Sequence, residues 1–235
     1  MALRPVFIPK YSGNALVDTD MTDFEWVPGL SKTQKIKNVI NLHEAFSKKN
    51  KFPLEKILEV SSKSVNPMGN ELSAFNLYIF NESLNRKISV ESAYQGSKVF
   101  ENGGPFVEIY EKTSIDSKRD DRLKKSGKII KFIYNNIEWD IQPENAFYNY
   151  LYISALVCNE YYYQSLTDYQ AFTDIEFNPK KSINCQAYAI AMYLSMKNRG
   201  ILDKAMKNRD SFLNITGKYD VINSKINTTE QSSLF

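Results

Sequence analysis

Two stretches in the second half of the chain, "PENAFYNYLYISALVCNEYYY" and "SINCQAYAIAMYLSMKNRG", read as helices with almost no polar side. A helix without a polar stripe must be covered on every face, by lipid or by the rest of its own domain. The longest purely apolar run in them is "AIAMYL", far short of the roughly 20 residues that span a bilayer. Both helices therefore belong to a core that other elements surround. The first starts just after Pro143, and Gly200 ends the second. With 235 residues, 43% of them hydrophobic, the chain can bury one such core, and no repeat or linker divides it.

The surrounding elements are short. "RPVFIP", Arg4 to Pro9, is a strand bounded by prolines, which places it at a sheet edge. "LSKTQKIKNVINLHEAFSKKN" is the clearest amphipathic helix, with Ser31 and Gln34 at capping-box spacing before Ile36, Val39 and Ile40. "FPLEKILEV" repeats a shorter helical pattern, and Ser61 to Asn70 is a polar Pro/Gly loop. "LSAFNLYIF" has strand-like content. "KIIKFIYNNIEWDI" reads as two strands around Asn135 and Asn136, since Asn tolerates positive φ in a tight turn. The expectation is a single α+β domain, predominantly helical with a few short strands. Residues 1–60 form an N-terminal strand and helical extension packed on the core, 61–215 the core itself, and 216–235 a polar, loosely held tail.

Composition removes several function classes. The net charge of +3 predicts no general affinity for nucleic acid, although a local basic groove is compatible with it. The start, "MALRPVFIPKYSG", has no apolar run of the kind that leads a secreted protein, and the two cysteines, Cys158 and Cys185, read as thiols of a cytoplasmic protein. The single histidine, His43, lies at helical spacing among Val39, Ile40 and Phe46, as a packing residue does. No Ser-His or Cys-His pair can then be assembled, and no His/Cys cluster has metal-ligand spacing. Neither a P-loop nor GxGxxG is present, so no metal or cofactor is expected. Proton transfer in such a chain falls to carboxylates, a lysine or tyrosines.

Polar groups of that kind gather in "SVESAYQGSKVF", Ser89 to Phe100, which reads as one short helix. At about 100° per residue, Glu91, Gln95 and Lys98 share a narrow arc with Tyr94 at its edge. Val90, Ala93, Ser97 and Phe100 share another side, the natural core contacts. The stripe is either a solvated face or the wall of a cleft. Ser89 is placed to cap the helix, which puts Glu91 in a first turn whose dipole favours an anion. "ENGGP" follows, and a Gly pair lets backbone approach a ligand closely. A second set lies in "AFTDIEFNPKKSINCQA": Asp174 and Glu176 alternate on one face of an extended segment, with Asn184 and Gln186 on the loop into the last helix. They are either caps or a paired-carboxylate site. Trp139 is core or ligand platform, and the segment holding Lys118, Arg119, Arg122, Lys124, Lys125 and Lys128 is a solvated face or a phosphate contact.

"SVESAYQGSKVF" resembles the signature of the NADAR (YbiA-like) superfamily, S-x-E-H-x-x-Q-x-x-K-F. Glu91, Gln95 and Lys98 match; Ser92 stands at the usual histidine, and Val99 intervenes before Phe100. "LSAFNL" is similar to that superfamily's Ser-Asn-Phe segment, here with Ser73, Phe75 and Asn76. "EWDIQPENAFYNYLYISAL" and "INCQAYAIAMYLS" are similar to its tryptophan-containing lead-in and its closing helix. Together "SSKSVNP", "LSAFNL", "SKVFENGGP" and "AFTDIEFNPKKSINCQA" resemble the NADAR antitoxins that accompany DarT-type DNA ADP-ribosyltransferases. The superfamily's D-x-x-W-G segment, with its catalytic aspartate, has no counterpart here because no Trp follows residue 139. The equivalent acid is then Asp174 or Glu176.

The resemblance implies a NADAR fold and an antitoxin-type glycohydrolase that removes ADP-ribose from guanine bases in DNA, reversing the toxin. It implies ADP-ribosylated DNA and ADP-ribose as ligands, the cognate toxin as a partner, and no membrane. Glu91, Lys98, Asp174 and Glu176 would be catalytic; Ser73, Phe75, Asn76, Tyr94, Gln95, Trp139, Asn184 and Gln186 would bind substrate. Lys98, two helical turns beyond Glu91, would meet a pyrophosphate or attack the ring-opened sugar as a Schiff-base amine, with Tyr94 and Trp139 stacking on a base. Two other readings stand beside it: an N-glycosidase acting on a phosphorylated riboflavin-pathway metabolite, and a non-catalytic ADP-ribose-binding antitoxin.

Overall fold

The computed structural model describes residues 1–82, 84–180, 182 and 184–219. The N-terminal region supplies β1 (Ala2–Pro9), β2 (Val17–Phe24), α1 (Lys32–Asn50) and β3 (Ile57–Glu59). Then come α2 (Pro67–Glu71), β4 (Tyr78–Asn81), β5 (Arg86–Ser89), α3 (Val90–Gly96) and β6 (Lys98–Phe100). Two short helices, α4 (Ser114–Lys118) and α5 (Arg122–Lys125), lead to the hairpin β7 (Ile129–Tyr134) and β8 (Ile137–Asp140). The chain continues through α6 (Ala146–Val157), α7 (Glu160–Leu166), β9 (Ala171–Thr173), α8 (Gln186–Asn198) and α9 (Leu202–Ala205), with residues 209–219 helical. Helix outweighs strand, but the strands make three separate sheets, so the fold is more evenly mixed than a predominantly helical reading allows.

α6 and α8 are the core helices. They pack on each other, and nearly every side chain from Ala146 to Leu156 and from Gln186 to Met196 is buried. α8 packs on the sheet β2-β1-β9-β3, and α6 packs on β4 of the pair β4-β5 and, through Phe147, on Phe132, Tyr134 and Trp139 of the sheet β6-β7-β8. Asn135 and Asn136 adopt φ of 48° and 61°, the left-handed pair of a two-residue hairpin turn, as their sequence predicts. Gly200 has φ of 66° just past α8.

Ser31 and Gln34 form the capping box of α1: Gln34 N donates to Ser31 Oγ at 3.2 Å and Ser31 N to Gln34 Oε1 at 3.1 Å. The helix buries Val39, Leu42 and Phe46, while Ile40 is exposed, so its apolar face is rotated from the expected one. β1 is not an edge strand. It runs between β2 and β9, but meets β9 only at Phe7–Phe172, which leaves its prolines free of a full second ladder. "FPLEKILEV" is a 3-10 turn followed by β3, because Ile57, Leu58 and Glu59 are all buried in parallel pairing with β9. β2 was not legible: "VDTDMTDF" is polar because its outer face meets solvent.

These strands change the status of residues 1–60. β9 is sandwiched between β1 and β3, so the first 60 residues frame the segment that carries Asp174. The Arg199 guanidinium clamps the β1–β2 loop to α8 through the carbonyls of Lys10, Ser12, Gly13 and Ala15. At the other end, Phe212 and Thr216 are buried, so 216–219 belong to a packed helix; the rest of the expected tail lies outside the described residues. No helix of the described residues is long and apolar enough to cross a membrane.

Candidate active site

α3 begins where Ser89 Oγ accepts from Ser92 N at 3.0 Å, which caps the helix as its sequence predicts. It ends at Gly96, one turn earlier than expected, and Ser97 leads into β6. Packing decides this stop. A Cβ on Gly96 would collide with the Tyr110 ring, and Phe100 pairs with the β7 strand rather than with a helix. Lys98 is therefore the first residue of a strand, and its amine folds back toward α3 instead of standing two turns along it. The Gly103–Gly104 pair does not face the cavity. A Cβ on Gly104, whose φ is 91°, would collide with the Lys98 carbonyl, so the glycine lets the turn pack under Lys98.

The resulting wall is a hydrogen-bonded line. Gln95 Nε2 donates to Glu91 Oε1 at 2.8 Å, and Lys98 Nζ donates to Gln95 Oε1 at 2.6 Å. One amide thus spaces an acid from an amine and uses both of its ends doing so. Glu91 is also 3.9 Å from Lys118 Nζ of α4. Lys98 Nζ lies 4.6 Å from the centre of the Tyr94 ring. Burial pulls its amine down to about 8, with the Glu91 charge opposing that and Lys118 adding to it.

Across a cavity of about 410 Å³ stands the segment after β9. Asp174 is buried and lines the cavity, while Glu176 sits at the exposed rim and pairs with Lys35 of α1 at 3.3 Å. The two do not share an extended face: the chain turns after Thr173, and Glu176 N donates to Asp174 Oδ1 at 3.0 Å. Burial, then the neighbouring Glu59, hold the Asp174 carboxyl well above the ordinary carboxylate range. Glu59 receives Ser61 Oγ at 2.6 Å, Thr173 Oγ1 at 2.6 Å and Ile175 N at 2.9 Å. Burial raises the Glu59 carboxyl as well, but these three donors oppose it, so of this buried pair Glu59 carries the charge and Asp174, pushed further, the proton. His43 completes the chain. Its Nε2 lies 2.8 Å from Thr173 Oγ1, whose only hydrogen goes to Glu59, so the imidazole donates. Burial lowers its pKa to about 4, which leaves it neutral.

Ten of the residues proposed from sequence line this one cavity: Glu91, Lys98, Asp174, Glu176, Ser73, Phe75, Tyr94, Gln95, Asn184 and Gln186. Their situations differ. Gln186 is a brace: its Oε1 accepts from Ala74 N at 2.8 Å and its Nε2 donates to Val60 O at 2.5 Å. Tyr94 packs against the stacked pair Phe132 and Phe147 and edge-on to Tyr148, with the Lys98 amine over its ring, so the ring is engaged by its own neighbours; its hydroxyl accepts from Asn184 Nδ2 at 2.6 Å. Asn184 Oδ1 is buried without a partner among the described residues, an acceptor suited to a ligand.

Two residues lie elsewhere. Trp139 is buried in β8 against Phe147, Tyr150 and Phe212. Asn76 is exposed and donates to Asn70. Ser92, at the position of the superfamily's usual histidine, points away into a serine cluster, with Ser89 Oγ at 2.8 Å and Ser117 Oγ at 2.9 Å. That cluster ties α4, and hence Lys118, to α3. Glu59, Tyr148 and Phe177 were missed in the sequence. Of these Glu59 had a signal, a lone acid inside the apolar run "ILEV".

Among the described residues no group of His, Cys, Asp and Glu side chains is placed to hold a metal ion. Over residues 2–226 the sequence matches the DarT1-associated NADAR antitoxin family, and the chain belongs to it. A comparison with curated proteins returned no match.

Proposed function

We propose that this DarT1-associated NADAR antitoxin is a glycohydrolase that removes ADP-ribose from guanine bases in DNA. The observation that carries the reading is the pairing of unlike groups around one cavity: a buried Asp174, whose carboxyl is held well above the ordinary range, with Glu91 and the half-buried amine of Lys98. Breaking the bond between ribose C1″ and the guanine nitrogen needs a proton for the departing base and negative charge near the developing oxocarbenium ion. Asp174 gives its proton to that nitrogen as the C1″–N bond breaks. Glu91 stands against the positive sugar and takes a proton from the water that attacks C1″. The products are unmodified guanine and ADP-ribose, and proton return from solvent resets the pair. Asn184 Oδ1 accepts from a sugar hydroxyl, and Lys118 faces a phosphate.

The depressed amine of Lys98 favours a second route to the same products. The sugar opens to an imine between C1″ and the guanine nitrogen, Lys98 displaces the guanine amine to form its own imine, and water then releases ADP-ribose. Both routes use Asp174 as the acid; Glu176, at the rim and paired with Lys35, takes no part in the proton transfers.

Incubation with an oligonucleotide carrying ADP-ribosyl-guanine, and separately with a phosphorylated riboflavin-pathway intermediate, tests the assignment. Restoration of the unmodified oligonucleotide is expected. Turnover of the small metabolite alone would replace this reading with the metabolite N-glycosidase, and tight binding of ADP-ribose without turnover of either would make the protein a reader.

A further inference from the structure

We propose that the groove beside the catalytic cavity seats the single-stranded DNA flanking the modified guanine. This rests on the glycohydrolase reading and adds a binding surface to it. The groove, about 560 Å³, is walled by Lys63, Phe75, Tyr78, Ile115, Lys118 and Arg119, with no carboxylate in its lining among the described residues. Phe75 and Lys118 also line the catalytic cavity, so the two depressions are continuous. A strand whose modified base enters the cavity runs out along this groove.

Its chemistry is that of a single-strand track. Tyr78 is 53% exposed and Ile115 54%, flat and apolar surface that no part of the described chain covers. Neither Lys63 nor Arg119 has a carboxylate partner among the described residues. Three acids close in sequence have partners of their own. Asp120 holds Lys112 and Arg122, Asp121 holds Lys125, and Asp116 accepts from Thr113. Free cations and rings thus share one groove, a combination that suits phosphates and unstacked bases. In a duplex the bases are stacked on one another and offer no face to Tyr78, and a modified guanine must leave the stack to enter the cavity.

The test uses the full chain and a fluorescein-labelled, unmodified single-stranded deoxyoligonucleotide, followed by anisotropy. Wild type binds it, and binds a matched duplex more weakly. Tyr78→Ala weakens binding about tenfold, the size of one lost base stack. Arg119→Ala and Lys63→Ala each lower the salt dependence by about 0.7 in log–log slope. On the activity side, the triple variant raises KM for modified oligonucleotide about tenfold or more, yet turns over ADP-ribosyl-deoxyguanosine, which has no flanking strand, like wild type. Absence of wild-type binding, binding unchanged in the variants, or an equal loss on the nucleoside would each overturn the groove assignment. The binding arm involves no chemistry, so its result holds even if the glycohydrolase reading fails.

Discussion

Burial sets the Lys98 amine at about 8 rather than at the 10.5 of a free lysine. At pH 7.5 that leaves about a quarter of the molecules with a neutral amine, against about 0.1% for an unburied lysine. The gain in free nucleophile is therefore about 250-fold, obtained without a neighbouring base. The neutral form is the deprotonated one, so its share grows with pH: about a tenth at pH 7 and about nine tenths at pH 9. If Lys98 forms the imine, trapping of wild type with cyanoborohydride and modified oligonucleotide accelerates about tenfold over that interval. Lys98→Arg, which keeps the cation and loses the nucleophile, gives no adduct. The assay is mass spectrometry of the trapped protein in a single turnover. No adduct at any pH, or Lys98→Arg turning over near the wild-type rate, would refute the covalent role and leave the amine as a contact for the pyrophosphate.

Other outcomes follow from the neighbours of the site. Glu59→Gln removes the charge beside Asp174, whose pKa then falls; the proton is lost at lower pH, and the alkaline limb of a pH–rate profile moves down. Lys98→Met removes an ammonium that burial penalises. Relative to wild type, the variant is then more stable at pH 7 than at pH 10.5 by about 3 kcal/mol, because wild type has shed its proton at the higher pH; chemical denaturation at pH 7 and 10.5 measures the difference. Gln186→Leu leaves the Ala74 amide and the Val60 carbonyl without partners, and denaturation should report a loss of about 2–4 kcal/mol. Trp139→Leu costs about 2 kcal/mol, less than truncation to Ala, while activity per folded molecule is unchanged.

What could be read from the sequence divides along a physical line. The two apolar helices, the Ser31–Gln34 cap and the Asn135–Asn136 hairpin were legible because each depends on its own residues. The elements that failed are set by distant partners. "FPLEKILEV" has a helical pattern, but β9, more than 110 residues later, pairs its end into a strand. "SVESAYQGSKVF" stops its helix at Gly96 because the Tyr110 ring and the β7 strand occupy the next turn. The stripe of Glu91, Gln95 and Lys98 survived that error, since the Gln95 amide joins acid to amine across the break. The ambiguity between Asp174 and Glu176 was beyond the local sequence. The difference in their surroundings comes from distant residues: Asp174 is buried with Glu59, whereas Glu176 is exposed and paired with Lys35.

The roles proposed for Glu91 as base and Asp174 as acid, on a glycosidic bond to guanine, meet their sharpest test in one oligonucleotide bearing a single ADP-ribosyl-guanine, followed by mass spectrometry with wild type, Glu91→Gln and Asp174→Asn. Wild type converts it to the unmodified strand plus free ADP-ribose, and each variant, folded by circular dichroism, slows conversion by about a hundredfold or more. Near wild-type conversion by either variant, or no conversion by wild type, would contradict the account.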